Sequence, residues 1–271
     1  MTAHRYTEDH TIPFYEGDVT NRITMAMLIN VLMLCSDHQN AALGVAQQSL
    51  IDQYGVGWVV TQYAITIKRL PVADDTVKVS TRGTSYNRFF AYREFWIHDE
   101  QGNELVKVDS IWVLMDEKAR KITEIPESII KPYRSENVRR VPRLKRPERL
   151  DSNAELTTKK YQVRASDIDF NGHVNNAHYL EWMTDVLPLD FLVSHQPEQI
   201  NIRFENEVKY GNFVSSSVLV ESQDNDRIKT IHEIMSNDKL SSSATFIWKK
   251  NDEVIKMKNI NLLDCTLRDG G

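Results

Sequence analysis

The sequence predicts an α+β fold made of two tandem repeats, and three observations lead to that prediction. Each half of the 271-residue chain has one helical pattern followed by a run of long antiparallel-strand patterns. After each helix, the order of strand, short polar turn and strand is the same. A single such unit leaves a sheet edge and a helix face uncovered, whereas two units side by side form one continuous sheet with two helices against it.

The first repeat begins with the most apolar helical pattern of the chain. Residues 21–43 are apolar on most sides, so we expect a deeply buried helix. We expect Asp18 or Thr20 to cap its N-terminus. Alternating polarity, β-branched residues and a Gly-Asn turn then predict antiparallel strands at residues 58–67, 76–81, 89–98 and 105–115.

The second repeat follows the same plan. A strand at residues 159–163 precedes a helix at residues 175–194, which Pro188 is expected to break or kink. We align residues 19–21 with residues 174–176, because both triplets end in Asn at the head of a helix. Further strands are predicted at residues 199–204, 213–222, 227–236 and 239–249.

Composition excludes several classes of function. The net charge of −5 argues against a nucleic-acid binder, and no apolar run is long enough to span a bilayer. The polar N-terminus is neither a signal peptide nor a transit peptide. Two cysteines, Cys35 and Cys265, do not make a disulfide framework, so we expect a cytoplasmic protein. The sequence lacks zinc spacing and a glycine-rich phosphate loop, so we expect no metal and no cofactor.

The stretch at residues 166–176 concentrates groups that can do chemistry. Asp169, Asn171 and His173 stand at alternate positions before a helix, and Gly172 allows a tight turn. From spacing alone, two interpretations are about equally good. The polar residues serve only as turn and capping residues, or the loop presents a catalytic group at the mouth of a helix N-terminus.

Four stretches of the chain are informative when they are taken together and in order. They are residues 58–61, 109–115, 122–126 and 167–176. Together they resemble the acyl-(acyl-carrier-protein) thioesterase family of plants and bacteria, which has a tandem hot-dog fold. The resemblance covers about residues 1–250, and the stretch before the second helix is its most specific part. It implies two hot-dog repeats, each an antiparallel sheet wrapped around a long helix, joined as a pseudo-dimer.

The resemblance implies hydrolysis of the fatty acyl thioester of acyl carrier protein, with Asp169, Asn171 and His173 as the catalytic loop. The family also places an acidic residue on the strand that leaves the second helix. Glu207 is the best match, and Glu205 is the alternative. Plant members have a cysteine after that glutamate, whereas this chain has Val208, so a cysteine nucleophile is not expected.

The residues favour direct attack by water on the thioester. No serine stands in a nucleophile-elbow motif, and Cys35 lies in an apolar helix where a thiol is usually inert. Either Glu207 or His173 is the general base. Asp169 would orient its neighbours and Asn171 would face the water or the carbonyl. Backbone N–H groups at the helix start near Asn175 would stabilise the oxyanion.

The acyl chain requires an apolar pocket, which we expect in the first repeat. Methionines fill protein cores more often than they line pockets, so for each candidate residue of the first helix the alternative is ordinary core packing. Two alternatives to hydrolysis of the carrier-protein thioester also stay open. The chain is a hot-dog thioesterase that acts on acyl-CoA, or it is a non-catalytic acyl-binding module. The candidate substrate-binding residues are Met25, Leu28, Trp58 and Asn175.

The chain is expected to divide into four parts. Residues 1–138 form the repeat with the acyl pocket, 139–150 a basic linker, and 151–250 the repeat with the catalytic loop. Residues 251–271 form a tail whose last eight residues resemble the opening of metal-dependent lyase barrels related to hydroxymethylglutaryl-CoA lyase, and we expect no activity there. A monomer and a homodimer are both compatible with this plan.

The basic linker has two interpretations. It is an ordinary solvated connection, as most charge runs are, or it docks the acidic acyl carrier protein. The docking residues would be Arg139, Arg140, Arg143, Lys145 and Arg146.

Overall fold

The computed structural model describes residues 3–151, 153–169, 172–222 and 227–251. Within the first repeat, the main helix is followed by a short helix and then by the long strands. Its elements are β1 (Arg5–Thr11), α1 (Met25–Ala42), α2 (Gln47–Tyr54), β2 (Val56–Ile67), β3 (Thr76–Tyr86), β4 (Phe90–His98), β5 (Glu104–Asp116), β6 (Lys121–Thr123), α3 (Glu127–Ile130) and β7 (Glu136–Asn137).

The second repeat has the same order of a strand, a helical region and four long strands. Its elements are β8 (Thr157–Gln162), α4 (Asn176–Asp185), α5 (Leu189–Ser194), β9 (His195–Phe204), β10 (Phe213–Ser222), β11 (Arg227–Ser236) and β12 (Lys239–Lys250).

All the long strands belong to one antiparallel sheet, in the order β1-β3-β4-β5-β2-β9-β12-β11-β10-β8. The two repeats meet at β2 and β9, which pair from Gln62 opposite Arg203 to Thr66 opposite Gln199. Each repeat therefore covers the open edge of the other. The predicted α+β fold of two tandem repeats sharing one sheet is confirmed.

Helix α1 lies against the inner face of the sheet and is buried along most of its length. Leu28, Ile29 and Leu32 are all 0% exposed. Their core cluster includes Leu180 and Met183 of α4, so the two helices share one core. Burial of this much apolar surface is the main stabilising contribution to a fold of this kind.

The start of α1 differs from the prediction. The helix begins at Met25, and the hydroxyl of Thr24 accepts a hydrogen bond of 3.1 Å from the backbone N–H of Met27. The predicted caps Asp18 and Thr20 are therefore wrong. Asp18 instead accepts from the backbone and hydroxyl of Thr20, at 2.7 and 2.6 Å, and stabilises the turn before the helix.

The alignment of the two helix starts also needs a correction. The loops close with equivalent bridges, Gly17 with Ile23 and Ile168 with Val174. Residues 23–25 therefore correspond to residues 174–176, four positions later than the sequence alignment placed them. The Val and Asn that the triplets share are a coincidence of composition.

The predicted break at Pro188 is confirmed, because α4 ends at Asp185 and Pro188 is the N-cap residue of α5. Five of the elements named above were not predicted, and three of them, β6, α3 and β7, are only two to four residues long. Strand β1 is a sheet edge of mostly polar residues with an alternating burial pattern, and α2 is short and only weakly apolar. Neither has the apolar periodicity that identifies an element from sequence.

The linker at residues 139–150 has no regular secondary structure and runs over the sheet. The side-chain amide of Gln62 on β2 donates to the carbonyl of Lys145 at 2.7 Å. The N–H of Glu148 donates to the hydroxyl of Thr245 on β12 at 2.8 Å. The part of the chain that the structure describes contains no helix long and apolar enough to cross a membrane. Residues 252–271 of the expected tail lie outside it.

Candidate active site

The loop before α4 is a tight turn closed by backbone hydrogen bonds. The N–H of Asp169 donates to the carbonyl of His173 at 2.9 Å, and the N–H of Gly172 donates to the carbonyl of Asp169 at 3.0 Å. Gly172 has a φ of 80°, which a residue without Cβ adopts at little cost. Asn171 lies outside the described residues. The turn brings Asp169 and His173 opposite each other.

Asp167 fixes this loop through contacts of its carboxylate and of its backbone carbonyl. Its carboxylate is 0% exposed and accepts from Nε and Nη2 of Arg164 at 3.0 and 2.7 Å. Burial acts to raise the pKa of Asp167, but the hydrogen bonds and charge of Arg164 outweigh it and hold the pKa below its usual value. Its carbonyl accepts from the N–H of Asn175 at 2.9 Å. The loop is thus fixed to the start of α4.

His173 faces Glu207 in the structure. Nε2 of His173 lies 3.0 Å from Oε2 of Glu207. The pair forms because the N–H of Val174 donates to the carbonyl of Val208 at 3.1 Å, which ties the loop to the segment that follows β9. The imidazole is mostly shielded, with 19% of the side chain exposed, whereas Glu207 is more open at 39%.

Glu205, the alternative acidic residue, has a different partner. Its Oε1 lies 2.7 Å from Nε of Arg203. Of the two glutamates, Glu207 is therefore the one that the structure pairs with the imidazole.

Arg120 comes from the other repeat and completes the cluster. It stands in the turn between β5 and β6 with a φ of 52°, and its guanidinium donates to Oε1 of Glu207. The donating nitrogen is Nη2, which also lies 3.2 Å from Nε2 of His173. Nη1 lies 3.0 Å from Glu117. Sequence reasoning missed Arg120, because an arginine in a hairpin turn carries no signal of a contact made 53 residues away.

The pKa of His173 is lowered below its ordinary value. Burial is the largest cause and the positive charge of Arg120 is the next. Asp169 acts in the opposite direction, as Glu117 does, and Lys209 adds to the lowering. The imidazole is therefore neutral near pH 7 and has a lone pair that can take a proton.

Three of the backbone N–H groups near the start of α4 are already hydrogen-bonded. The N–H of Ala177 donates to the side-chain oxygen of Asn175 at 3.0 Å, and the N–H of His178 donates to the carbonyl of Asn175 at 3.1 Å. The N–H of Asn175 is bound to Asp167. Two of these amides are used within the first turn of the helix and the third closes the loop before it, so we do not assign these three to an oxyanion.

A cavity of about 1330 Å³ adjoins this cluster and runs along α1. One face of α1 lines it at helical spacing, through Asn30, Met33 and Leu34. Met25 and Leu28 lie on other faces of the helix and pack into the core instead. Trp58 and Asn175 do line the cavity, as do Arg140, Arg143 and Arg146 of the linker.

Cys35 is not placed for catalysis. Burial raises the pKa of its thiol to about 12, and the thiol is completely buried against the carbonyl of Val79. A thiol in such an environment is inert.

The first repeat has a loop that is closed by the same backbone hydrogen bonds as the loop before α4. The N–H of Asp18 donates to the carbonyl of Arg22 at 2.8 Å, and the N–H of Asn21 donates to the carbonyl of Asp18 at 2.9 Å. Asn21 has a φ of 64°, close to that of Gly172. Arg22 therefore occupies the position that corresponds to His173.

The acidic partner is also absent from this loop. The N–H of Ile23 donates to the carbonyl of Pro71, as Val174 donates to Val208. Leu70 consequently corresponds to Glu207. Having neither a histidine nor the glutamate, the first-repeat loop keeps the backbone of the site without its imidazole–carboxylate pair.

Family models match nearly the whole described chain. The acyl-ACP thioesterase N-terminal domain matches residues 3–133, and the acyl-ACP thioesterase C-terminal domain matches residues 150–250. A palmitoyl-acyl carrier protein thioesterase from Gossypium hirsutum is 28% identical over 182 residues, which cover 65% of this chain and 44% of the relative. An oleoyl-acyl carrier protein thioesterase from Coriandrum sativum is 24% identical over 227 residues, which cover 78% of this chain and 61% of the relative. The chain thus spans less than two thirds of the length of these curated relatives.

Two solved structures superpose closely. A protein assigned as an oleoyl thioesterase from Lactobacillus plantarum has a TM-score of 0.90 and 44% identity, covering 93% of this chain and 98% of the other. A 12:0-ACP thioesterase from Umbellularia californica has a TM-score of 0.80 and 19% identity, covering 91% and 98%. The second likeness concerns the fold alone.

Proposed function

This chain belongs to the acyl-ACP thioesterase family, and from that premise we propose that it hydrolyses the thioester between a fatty acyl group and acyl carrier protein. The products are a free fatty acid and the carrier thiol, so the reaction ends chain elongation. The observation that carries the proposal is the contact between His173 and Glu207 beside a long cavity. An imidazole held in neutral form next to an acyl-sized space is what water attack on a thioester requires.

We assign His173 as the general base. It takes a proton from water as the water oxygen bonds to the carbonyl carbon. The tetrahedral intermediate then breaks its C–S bond, and the imidazolium returns the proton to the leaving sulfur. Glu207 and Asp169 supply negative charge near the imidazolium, and the family resemblance assigns the amide of Asn171 to the water or the carbonyl.

The acyl chain is proposed to lie along the cavity face of α1. Met33 and Leu34 give that face its apolar character, and methionine adapts to the shape of a flexible chain. Trp58 and Asn175 line the same space, so they are retained as substrate-binding residues. Met25 and Leu28 are left to core packing.

The basic linker is the proposed docking surface for the carrier. The five cationic residues predicted for docking are exposed, and three of them line the cavity. A positive strip beside the cavity would guide an acidic carrier so that its acyl group enters. Reversing the charge of Arg140, Arg143 and Arg146 together is expected to lower kcat/KM for acyl-ACP about tenfold or more at low salt. Hydrolysis of acyl-CoA should change much less.

Lys160→Glu is the matched control, since Lys160 is exposed on strand β8 at the far end of the sheet. Equal losses for the linker variant and the control would remove the docking role from the linker.

The function itself is tested by thiol release from a panel of acyl carrier proteins and acyl-CoAs. We expect turnover of the carrier substrates that falls by about a hundredfold or more in His173→Ala. A preference for acyl-CoA would reassign the substrate. Tight acyl binding with no thiol release by the wild-type protein would instead identify an acyl-binding module.

Glu207→Gln separates the two candidate bases. If His173 is the base, this variant retains measurable turnover and the acid limb of its pH–rate profile persists. Loss of that limb together with activity would make Glu207 the base.

A further inference from the structure

Each repeat sends residues from the end of its last long strand to the helix-entry loop of the other repeat. Arg120 follows β5 of the first repeat and contacts His173 and Glu207 of the second. In the reciprocal place, Asn251 follows β12 and accepts from Nη1 of Arg22 at 3.1 Å. The crossing is thus a feature of the architecture, and within the described residues it reaches a histidine and a carboxylate on one side only.

The atoms of the Arg120 contact define two hydrogen-bonding states of the imidazole. Nη2 of the guanidinium has two hydrogens, one directed to Glu207 and one to Nε2 of His173. A neutral imidazole with its proton on Nδ1 accepts from Arg120 at Nε2. After Nε2 gains a proton it can no longer accept, and its N–H donates to Oε2 of Glu207 at 3.0 Å.

We propose that Arg120 is a positioning residue for the hydrolysis, through which the first repeat orients Glu207 and keeps His173 unprotonated until the proton-transfer step. The inference rests on the proposed function. Arg120 acts through the other two side chains and is not assigned a contact with substrate.

The surrounding charges are consistent with this role. Glu117 holds the far nitrogen of the guanidinium at 3.0 Å, so Arg120 is fixed at both ends. Asp169 and Glu117 favour the protonated imidazole, whereas Arg120 and Lys209 oppose it. Arg120 is the only one of the two cations with a hydrogen bond to the ring among the described residues.

The first test needs no substrate. The ring protons of His173 are followed by NMR against pH in the wild type and in Arg120→Gln. Without the neighbouring positive charge the pKa of His173 should rise, so the variant should titrate at higher pH. Superimposable titration curves would overturn the proposal, whether or not the protein proves to be a thioesterase.

The second test is kinetic. Arg120→Gln should lower kcat about tenfold, the scale of one charge-assisted hydrogen bond, and move the acid limb of the pH profile to higher pH. Arg120→Lys keeps the positive charge but lacks the planar guanidinium that contacts both side chains. Its acid limb should therefore lie at the wild-type pH, while its kcat should stay as low as that of Arg120→Gln. KM should change little in both variants.

Two further variants protect the result from a folding defect. Arg120→Gly removes the side chain at a position whose φ of 52° suits glycine, and it should reproduce the kinetics of Arg120→Gln. Arg88→Gln removes another exposed arginine, which is paired with Glu124, and should leave kcat and the acid limb unchanged. Equal effects of Arg88→Gln and Arg120→Gln would refute a specific role for Arg120.

Discussion

The hydroxyl of Tyr63 accepts a hydrogen bond of 3.1 Å from the side-chain amide of Asn176, which joins strand β2 of the first repeat to helix α4 of the second. Tyr63 is 0% exposed, and burial raises its pKa. The carbonyl oxygen of the same Asn176 side chain is buried without a partner among the described residues. The amide therefore depends on Tyr63 for its one recorded hydrogen bond.

Tyr63→Phe should destabilise the protein by about 1 to 3 kcal/mol, because it removes the hydrogen-bond partner of the part-buried Asn176 amide nitrogen. For a protein of this size the melting temperature should fall by roughly 2–4 °C per kcal/mol. Thermal unfolding measures the change, with Tyr15→Phe as an exposed control. Equal melting temperatures for Tyr63→Phe and the wild type would show that Asn176 finds another partner.

Thr24→Ala should cost about 1 kcal/mol, since Thr24 supplies the capping hydroxyl of α1. Thr24→Ser keeps the hydroxyl and should retain most of the stability. Urea unfolding at constant m-value compares the two. A loss in Thr24→Ser as large as that in Thr24→Ala would locate the effect in the methyl group and not in the cap.

His232 should make stability depend on pH. It is fully buried against Phe246, and burial lowers its pKa to about 3. As the pH falls below about 6.5, the unfolded chain binds a proton that the folded chain cannot, so the folded state loses up to about 1.4 kcal/mol per pH unit. The contribution is complete above pH 6.5 and decreases towards pH 3.

His232→Phe should flatten this dependence, as shown by the free energy of unfolding measured at several pH values between these limits. The criterion is the slope with pH and not the stability at neutral pH, because the variant also loses the hydrogen bond of 2.7 Å between His232 and Thr230. His4→Gln is the control, because it removes an exposed histidine in place of a buried one. A slope unchanged by His232→Phe would assign the acid sensitivity to other groups.

If the proposed function holds, Met33→Trp should change the acyl chain length that is hydrolysed. Met33 lines the cavity on α1, and an indole there would fill space that a long chain needs. We expect the ratio of palmitoyl to octanoyl turnover on acyl carrier protein to fall about tenfold or more. Tyr54→Trp, on the surface of α2, should leave the ratio unchanged. An unaltered ratio in Met33→Trp would place the acyl chain elsewhere.

The long elements were predictable because their periodicity reflects burial. Strands β10 and β11 match the prediction residue for residue, and α1 was recognised by apolar residues on most of its faces. The helix cap was not predictable in this way. Asp18, Thr20 and Thr24 are all good capping residues, and only the three-dimensional turn decides which one meets a free N–H.

In the site too, features with a local sequence pattern were predictable, and features set by three-dimensional packing were not. Asp169, His173 and Glu207 were identified from a local motif and a family resemblance, and the structure brings His173 and Glu207 together. Arg120 was missed because its contact depends on how two repeats pack. Met25 and Leu28 were misplaced because composition cannot tell which face of an apolar helix lines a cavity. The assigned roles, the domain bounds, the cytoplasmic location and the state of assembly stay predictions.

The altered loop of the first repeat has a consequence for stoichiometry. Two identical repeats would build a proton-transfer pair at both helix entries, and so would process two substrates per pair of repeats. With Arg22 and Leu70 at one entry, a single chain has one imidazole–carboxylate pair for its two helix entries, so the proposed function predicts one substrate per chain. Under the proposed function, the first repeat supplies Arg120 and part of the cavity lining, and the second repeat supplies the imidazole and the carboxylate.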